Sequence, residues 1–167
     1  MRRVRDQADR HQGAAGAGRA VATTPGNRQK LNSDWRTTIN ILAVEDNPLH
    51  LKLVHVVLSA AGHHVSGARA ASQAMESINR EKPEMIIVDL SLPDTDGLTL
   101  VRKLRSDPRA TKIPVLAVTF YPERYSREQA IAAGCDAYLV KPISTRTLPD
   151  LVKRVAAAGR QRTGSRF

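Results

Sequence analysis

Met85-Ile86-Ile87-Val88-Asp89 constrains the fold more than any other stretch of the chain. Its apolar residues occupy consecutive positions, so both faces of the strand they form are greasy, and the run is too short for a helix and is bounded by Pro83 and Pro93. A strand of that kind has to be covered on both sides, which is what a parallel sheet with helices on either face provides. The run ends in a carboxylate and breaks at once into Leu90-Ser91-Leu92-Pro93-Asp94-Thr95-Asp96-Gly97. In open parallel sheets ligands bind beyond the carboxyl ends of the strands, which makes Asp89 a candidate functional acid. Taken alone, an Asp before Leu-Ser equally suits the start of a turn.

The same grammar recurs along the chain. Ile39-Asn40-Ile41-Leu42-Ala43-Val44 is closed by Glu45-Asp46, Ile113 to Val118 by Thr119, and Ala137-Tyr138-Leu139-Val140 by Lys141-Pro142, with a weaker strand at His64 to Ala68. Between the strands, apolar residues fall at helical spacing. Asn47-Pro48 supplies a cap and a first-turn proline for a helix with Leu49, Leu53, Val54, Val57, Leu58 and Ala61 at that spacing, stopped by Gly62. Ala70 to Arg80 carries Ala74, Met75 and Ile78 on one side, and Leu98, Val101 and Leu104 describe a short helix that Asp107-Pro108 ends. Glu123 to Ala133 predicts a helix with Ala130, Ile131 and Ala133 inward, and Ser144 predicts the cap of a last helix through Leu148, Leu151, Val152 and Val155. Five strands alternating with five helices predict an α/β domain with a parallel sheet.

The net charge of +10 sits in the ends. Residues 1–38 hold eight Lys/Arg against Asp6, Asp9 and Asp34, residues 153–167 hold five against no acid, and residues 39–152 hold thirteen of each sign. Poor in apolar side chains, residues 1–38 are expected to be a disordered basic tail, followed by a folded domain over 39–158 and a basic C-terminal tail over 159–167. Basic arms can also hold nucleic acid, so a nucleic-acid-binding protein is an alternative reading, although solvated tails account for the composition and DNA binding is not expected. The single cysteine, Cys135, excludes an internal disulfide and is expected to behave as a small buried hydrophobe. No apolar stretch approaches the about eighteen residues of a membrane span, and the small-residue tract Gly13 to Thr23 is broken by Arg19, so a cytoplasmic location is expected. His50 and His55, five apart, do not share a helical face as metal ligands would; with His63 and His64 they are expected at the surface or in turns.

A parallel sheet would gather Glu45, Asp46, Asp89, Thr119 and Lys141 at one edge. Massed carboxylates repel and need a cation, and hard oxygen donors without His or Cys favour Mg2+, which is commonly shared with phosphate oxygens. A lysine and a hydroxyl in the same cluster suit a phosphoryl group, as a point charge and a hydrogen-bond donor.

On these residues (the acidic pair Glu45-Asp46, Asp89 with Pro93 and Asp96-Gly97 downstream, Thr119 and Lys141-Pro142) the chain over about residues 39–158 resembles the receiver domains of bacterial two-component response regulators. The resemblance implies a flavodoxin-like doubly wound fold with strand order 2-1-3-4-5. It implies that Asp89 accepts a phosphoryl group, that Asp46 is the main Mg2+ ligand with Glu45 assisting, and that the Ser91 carbonyl is a further ligand. Thr119 would then bind a phosphate oxygen, Lys141 would pair with it, and Tyr138 would be the aromatic whose rotamer reports activation. The implied partners are a sensor histidine kinase or histidine phosphotransfer protein and a downstream protein, for a monomer or weak dimer that is a signalling domain and not an enzyme.

Two features set the chain apart from that pattern. Phe120 and Tyr121 follow Thr119 where the family usually has a small residue, and the Phe120 ring is expected either to narrow access to Asp89 or to pack on the next helix. Nothing beyond the last helix has the length of an output domain, so a stand-alone regulator is expected. A phosphoaspartyl hydrolase is disfavoured because Ser91 stands where a second acid would be needed.

Overall fold

The computed structural model describes residues 38–164. The expected N-terminal tail lies outside the described residues, apart from Thr38. Five strands, β1 (Asn40–Val44), β2 (His64–Ala68), β3 (Met85–Asp89), β4 (Val115–Thr119) and β5 (Ala137–Val140), alternate with α1 (Pro48–Ala60), α2 (Ala71–Glu81), α3 (Gly97–Ser106), α4 (Arg127–Ala133) and α5 (Leu148–Gly164). All pairings are parallel and the order is β2-β1-β3-β4-β5, the flavodoxin-like arrangement.

The period-2 alternation of strand side chains splits the core in two. Ile41 and Ala43, Met85 and Ile87, and Leu116 and Val118 face α1 and α5 through Val54, Leu58, Leu148 and Val152. Leu42 and Val44, Ile86 and Val88, and Val115 and Ala117 face α2, α3 and α4 through Ala74, Ile78, Val101, Leu104 and Ala130. Each large side chain buried this way contributes roughly 1.5–3 kcal/mol over leaving it in water, which is why apolar runs at the sheet centre have little freedom to slip register.

Local chemistry sets most helix starts. The Asn47 side chain accepts the N–H groups of Leu49 and His50 with Pro48 in the first turn, and Asp96 accepts from the Thr99 N–H at 2.9 Å. Ser126 and Gln129 form a reciprocal capping box on α4. The Ala70 cap of α2 has no side chain to offer. Asp94, from the loop after β3, takes the Ala71 and Ser72 N–H groups at 2.9 and 3.0 Å instead, and those bonds hold its carboxyl below the usual range.

Several expectations are corrected. Helix α4 starts at Arg127, four residues later than the periodicity suggested, because the capping box sets its boundary and a turn at Tyr121 to Tyr125 fills the gap. Ile131 is 44% exposed: a seven-residue helix has room for an inward stripe of only Ala130 and Ala133. Helix α5 begins at Leu148, and the Ser144 carbonyl accepts the Thr147 and Leu148 N–H groups where a side-chain cap was expected. It continues to Gly164, so most of the segment assigned to a basic tail is helix, and Arg162 pairs with Asp136. Leu49 and Leu53, counted in the apolar spacing of α1, are 75% and 37% exposed: the helix turns Leu51, Val54 and Leu58 toward the sheet, and Leu49, Leu53 and Val56 lie off that face.

His63, expected at the surface or in a turn, lies in the turn between α1 and β2 but is buried there, with neither ring nitrogen paired among the described residues. Burial first, and then the charge of Lys153, lower its pKa and favour the neutral ring. Cys135 is buried as expected, and burial pushes its thiol up to about 12. Among the described residues no helix is long and apolar enough to cross a membrane.

Candidate functional site

The carboxyl ends of β1, β3, β4 and β5 bring the polar residues of four separate sequence segments to one edge. Carboxylate oxygens of Glu45, Asp46 and Asp89 all lie within 4.8 Å of one another. Glu45 and Asp89 are buried and Asp46 is half-buried. The Lys141 ammonium, itself buried, reaches back from the end of β5, donating to Glu45 Oε2 and, at 2.5 Å, to Asp89 Oδ2. Burial raises the Glu45 carboxyl above its ordinary range, with the Asp89 charge adding to the rise and the Lys141 bonds opposing it.

Asp89 is also held from below. Its Oδ1 accepts the Ser91 N–H at 2.7 Å, and Ser91 forms an isolated antiparallel bridge with Asp96, so the loop folds back under the carboxylate. Gly97 completes the turn at very close quarters: a Cβ there would stand 2.6 Å from the Asp89 carbonyl oxygen and from Leu90 Cα. The Asp46 carbonyl accepts two bonds from the Arg69 guanidinium at 3.1 and 3.2 Å, which fixes the β1–α1 loop from the β2 side.

Thr119, fully buried at the end of β4, accepts the Tyr121 N–H at 2.9 Å, which leaves its own hydroxyl proton to be donated. Lys141 N–H donates to the Thr119 carbonyl at 2.8 Å, tying β5 to β4 at the site. Tyr138 is half-buried against the α3 and α4 side of the core, and its hydroxyl donates to the Tyr125 carbonyl at 2.6 Å, linking β5 to the loop before α4. Phe120 is 46% exposed and does not pack into the core. Its ring centroid lies 4.9 Å from Lys141 Nζ and 5.2 Å from the ring of His50.

His50 is the residue of this site that sequence reading missed. It was expected at the surface or in a turn, yet its Nδ1 lies 3.4 Å from Lys141 Nζ and 3.7 Å from Glu45 Oε1. Its place one turn into the helix that follows the acidic pair was the available signal. The Ala71 and Ser72 bonds of Asp94 had none, because they join segments that only tertiary packing brings together.

Three carboxylates with one buried ammonium leave net negative charge in a small volume of hard oxygen donors, a donor set that fits a divalent cation such as Mg2+. The family model of the response regulator receiver domain matches residues 41–153. The chain belongs to that family. Among its relatives is the polar-differentiation response regulator DivK of Brucella ovis, 32% identical over 116 residues, covering 70% of this chain and 94% of DivK. The receiver domain of a sensor histidine kinase from Pseudomonas aeruginosa, solved with a magnesium ion coordinated in its active site cleft, superposes with a TM-score of 0.66 at 29% identity, over 72% of this chain and 99% of that one. The chemotaxis response regulator CheY4 of Vibrio cholerae matches with a TM-score of 0.65 at 28% identity, over 71% of this chain and 99% of its own. Receiver domains are signalling domains that accept a phosphoryl group, not enzymes acting on a separate substrate.

Proposed function

We propose that this protein is a cytoplasmic response regulator that takes a phosphoryl group onto Asp89 from a histidine kinase or histidine phosphotransfer protein, and that phosphorylation changes a surface read by a downstream protein. The observation that carries this reading is the position of Lys141 Nζ between Glu45 and Asp89, with Asp46 alongside. An Asp89 carboxylate oxygen attacks the phosphorus of a phosphohistidine in line. The P–N bond breaks, its electron pair leaves with the imidazole, and an acyl phosphate forms. Glu45, Asp46, Asp89 and the Ser91 carbonyl are the residues that would hold Mg2+, which when bound neutralises charge on the phosphoryl oxygens. Lys141 moves its ammonium from the carboxylates to a phosphoryl oxygen, and the Thr119 hydroxyl donates to another.

The response then follows from what Thr119 is attached to. Drawing its side chain toward Asp89 pulls on the Tyr121 N–H it now accepts, so the loop bearing Phe120, Tyr121 and Tyr125 shifts, and with it the Tyr125 carbonyl that anchors Tyr138. The surface around α4, β5 and α5 changes population accordingly. Phe120, exposed and standing over Lys141, partly covers the crevice.

Incubation of the full chain with acetyl phosphate and Mg2+, followed by intact-mass measurement, tests the assignment. The wild type is expected to gain one phosphoryl group that is stable in acid and lost to hydroxylamine, Asp89→Asn none, and Asp46→Ala to lose Mg2+ affinity and so react severely more slowly, because without the metal the negative charge of the remaining acids and the phosphoryl oxygens is not offset. Full labelling of Asp89→Asn overturns it.

A further inference from the structure

We infer that His50 is a positioning residue for Lys141: it holds the ammonium in the crevice while the carboxylates around it change partners. The inference rests on the reading of Asp89 as the phosphoryl acceptor. Lys141 Nζ is surrounded by two carboxylate oxygens, Glu45 Oε2 and Asp89 Oδ2, and by two rings, His50 with Nδ1 at 3.4 Å and the face of Phe120 at 4.9 Å. An ammonium has three protons and no lone pair, so in this contact Lys141 can only be the donor, to the tautomer of His50 that keeps a lone pair on Nδ1.

The two rings of this cage matter because its carboxylate half is temporary. Glu45 and Asp89 belong to the acidic triad that would hold a divalent cation, and one Asp89 oxygen becomes the bridge to phosphorus. During that exchange Lys141 remains buried, and a buried ammonium without an acceptor is costly. His50 stands outside the triad, on the first turn of α1, and supplies an acceptor throughout. Phe120 lies against its ring at 5.2 Å with a 47° tilt, which restrains the half-exposed imidazole so that Nδ1 faces Lys141 instead of turning to solvent. His50 thereby couples α1 to β5 at the point where the charge on Asp89 changes.

Two measurements on the full chain decide this. In protein labelled with 15N-lysine, the Lys141 side-chain ammonium signal, assigned by its loss in Lys141→Arg, should shift or broaden in His50→Ala and return toward its original position in His50→Asn, whose amide oxygen can replace Nδ1. Phosphorylation of Asp89 by acetyl phosphate at one Mg2+ concentration should slow about tenfold in His50→Ala, the scale of one hydrogen bond to a charged group, and recover in His50→Asn. A His50→Ala protein with an unchanged ammonium signal and rate overturns the inference. So does a His50→Asn protein as impaired as His50→Ala, which would assign the effect to lost ring packing. Failure of the wild type to take up phosphoryl groups would instead sink the acceptor reading, and the ammonium signal would still decide whether His50 holds Lys141.

Discussion

Phe120 shows how a single side chain can act in two directions at once. Its ring is nearly half exposed, so its removal takes little from the core, and Phe120→Ala should change stability by no more than about 0.5 kcal/mol. The same ring stands beside Lys141 and His50, and under the proposed function it partly covers the approach to Asp89. A small phosphodonor and a hydrolytic water need the same path to the phosphorus, so Phe120→Ala is expected to speed both phosphorylation by acetyl phosphate and loss of the acyl phosphate by a few-fold. Measuring both rates at one Mg2+ concentration separates the two roles of the ring. Slower phosphorylation would show that its support of His50 and Lys141 outweighs the access it blocks.

At the scale of elements, the connection from β3 to α3 is built to hold one carboxylate still. Asp89 accepts from Ser91, Ser91 bridges to Asp96, Asp96 caps α3, and Asp94 caps α2, so a single loop ties two helices to the end of the central strand. Gly97 is the point at which this arrangement has no slack. An added methyl would press on backbone atoms of Asp89 and Leu90, which have no flexible end to give way. Gly97→Ala is therefore expected to cost about 1–3 kcal/mol in urea unfolding and to displace Asp89 enough to slow its phosphorylation. Unchanged stability and rate would mean that the loop can relax in a way its hydrogen bonds do not suggest.

For the molecule as a whole, the boundary of the folded unit lies further on than charge distribution implied. Helix α5 runs to Gly164, and Arg162 on its last turn reaches Asp136, the residue that also holds Arg105 and the Val115 N–H. The Arg162 side chain is largely exposed, so this ion pair is worth at most about 1 kcal/mol. A chain trimmed to residues 38–164 should melt with the full-length protein, one trimmed to 38–159 should melt a few degrees lower, and both should still accept phosphate on Asp89. Thermal denaturation of the three proteins checks this. A full-length protein much more stable than 38–164 would place a stabilising contact in the residues removed.

What the sequence determined by itself was whatever depends on neighbours along the chain. The apolar run at Met85 to Asp89 predicted a strand over those residues, Asn47-Pro48 predicted the start of α1, and acids, Thr and Lys at strand ends predicted one polar edge, because periodicity and capping are local and a parallel sheet has few ways to arrange them. Tertiary structure alone decided which face each helix turns to the sheet and which loops touch. The face that α1 turns inward carries Leu51, Val54 and Leu58 and leaves Leu49 in solvent, and the short α4 does the same to Ile131; His63 is closed in between α1 and β2. Those are properties of how the elements sit against one another, which no residue's own neighbourhood records. The same holds for His50 against Lys141, ninety-one residues apart in the chain and brought together only because α1 begins at the edge where β5 ends.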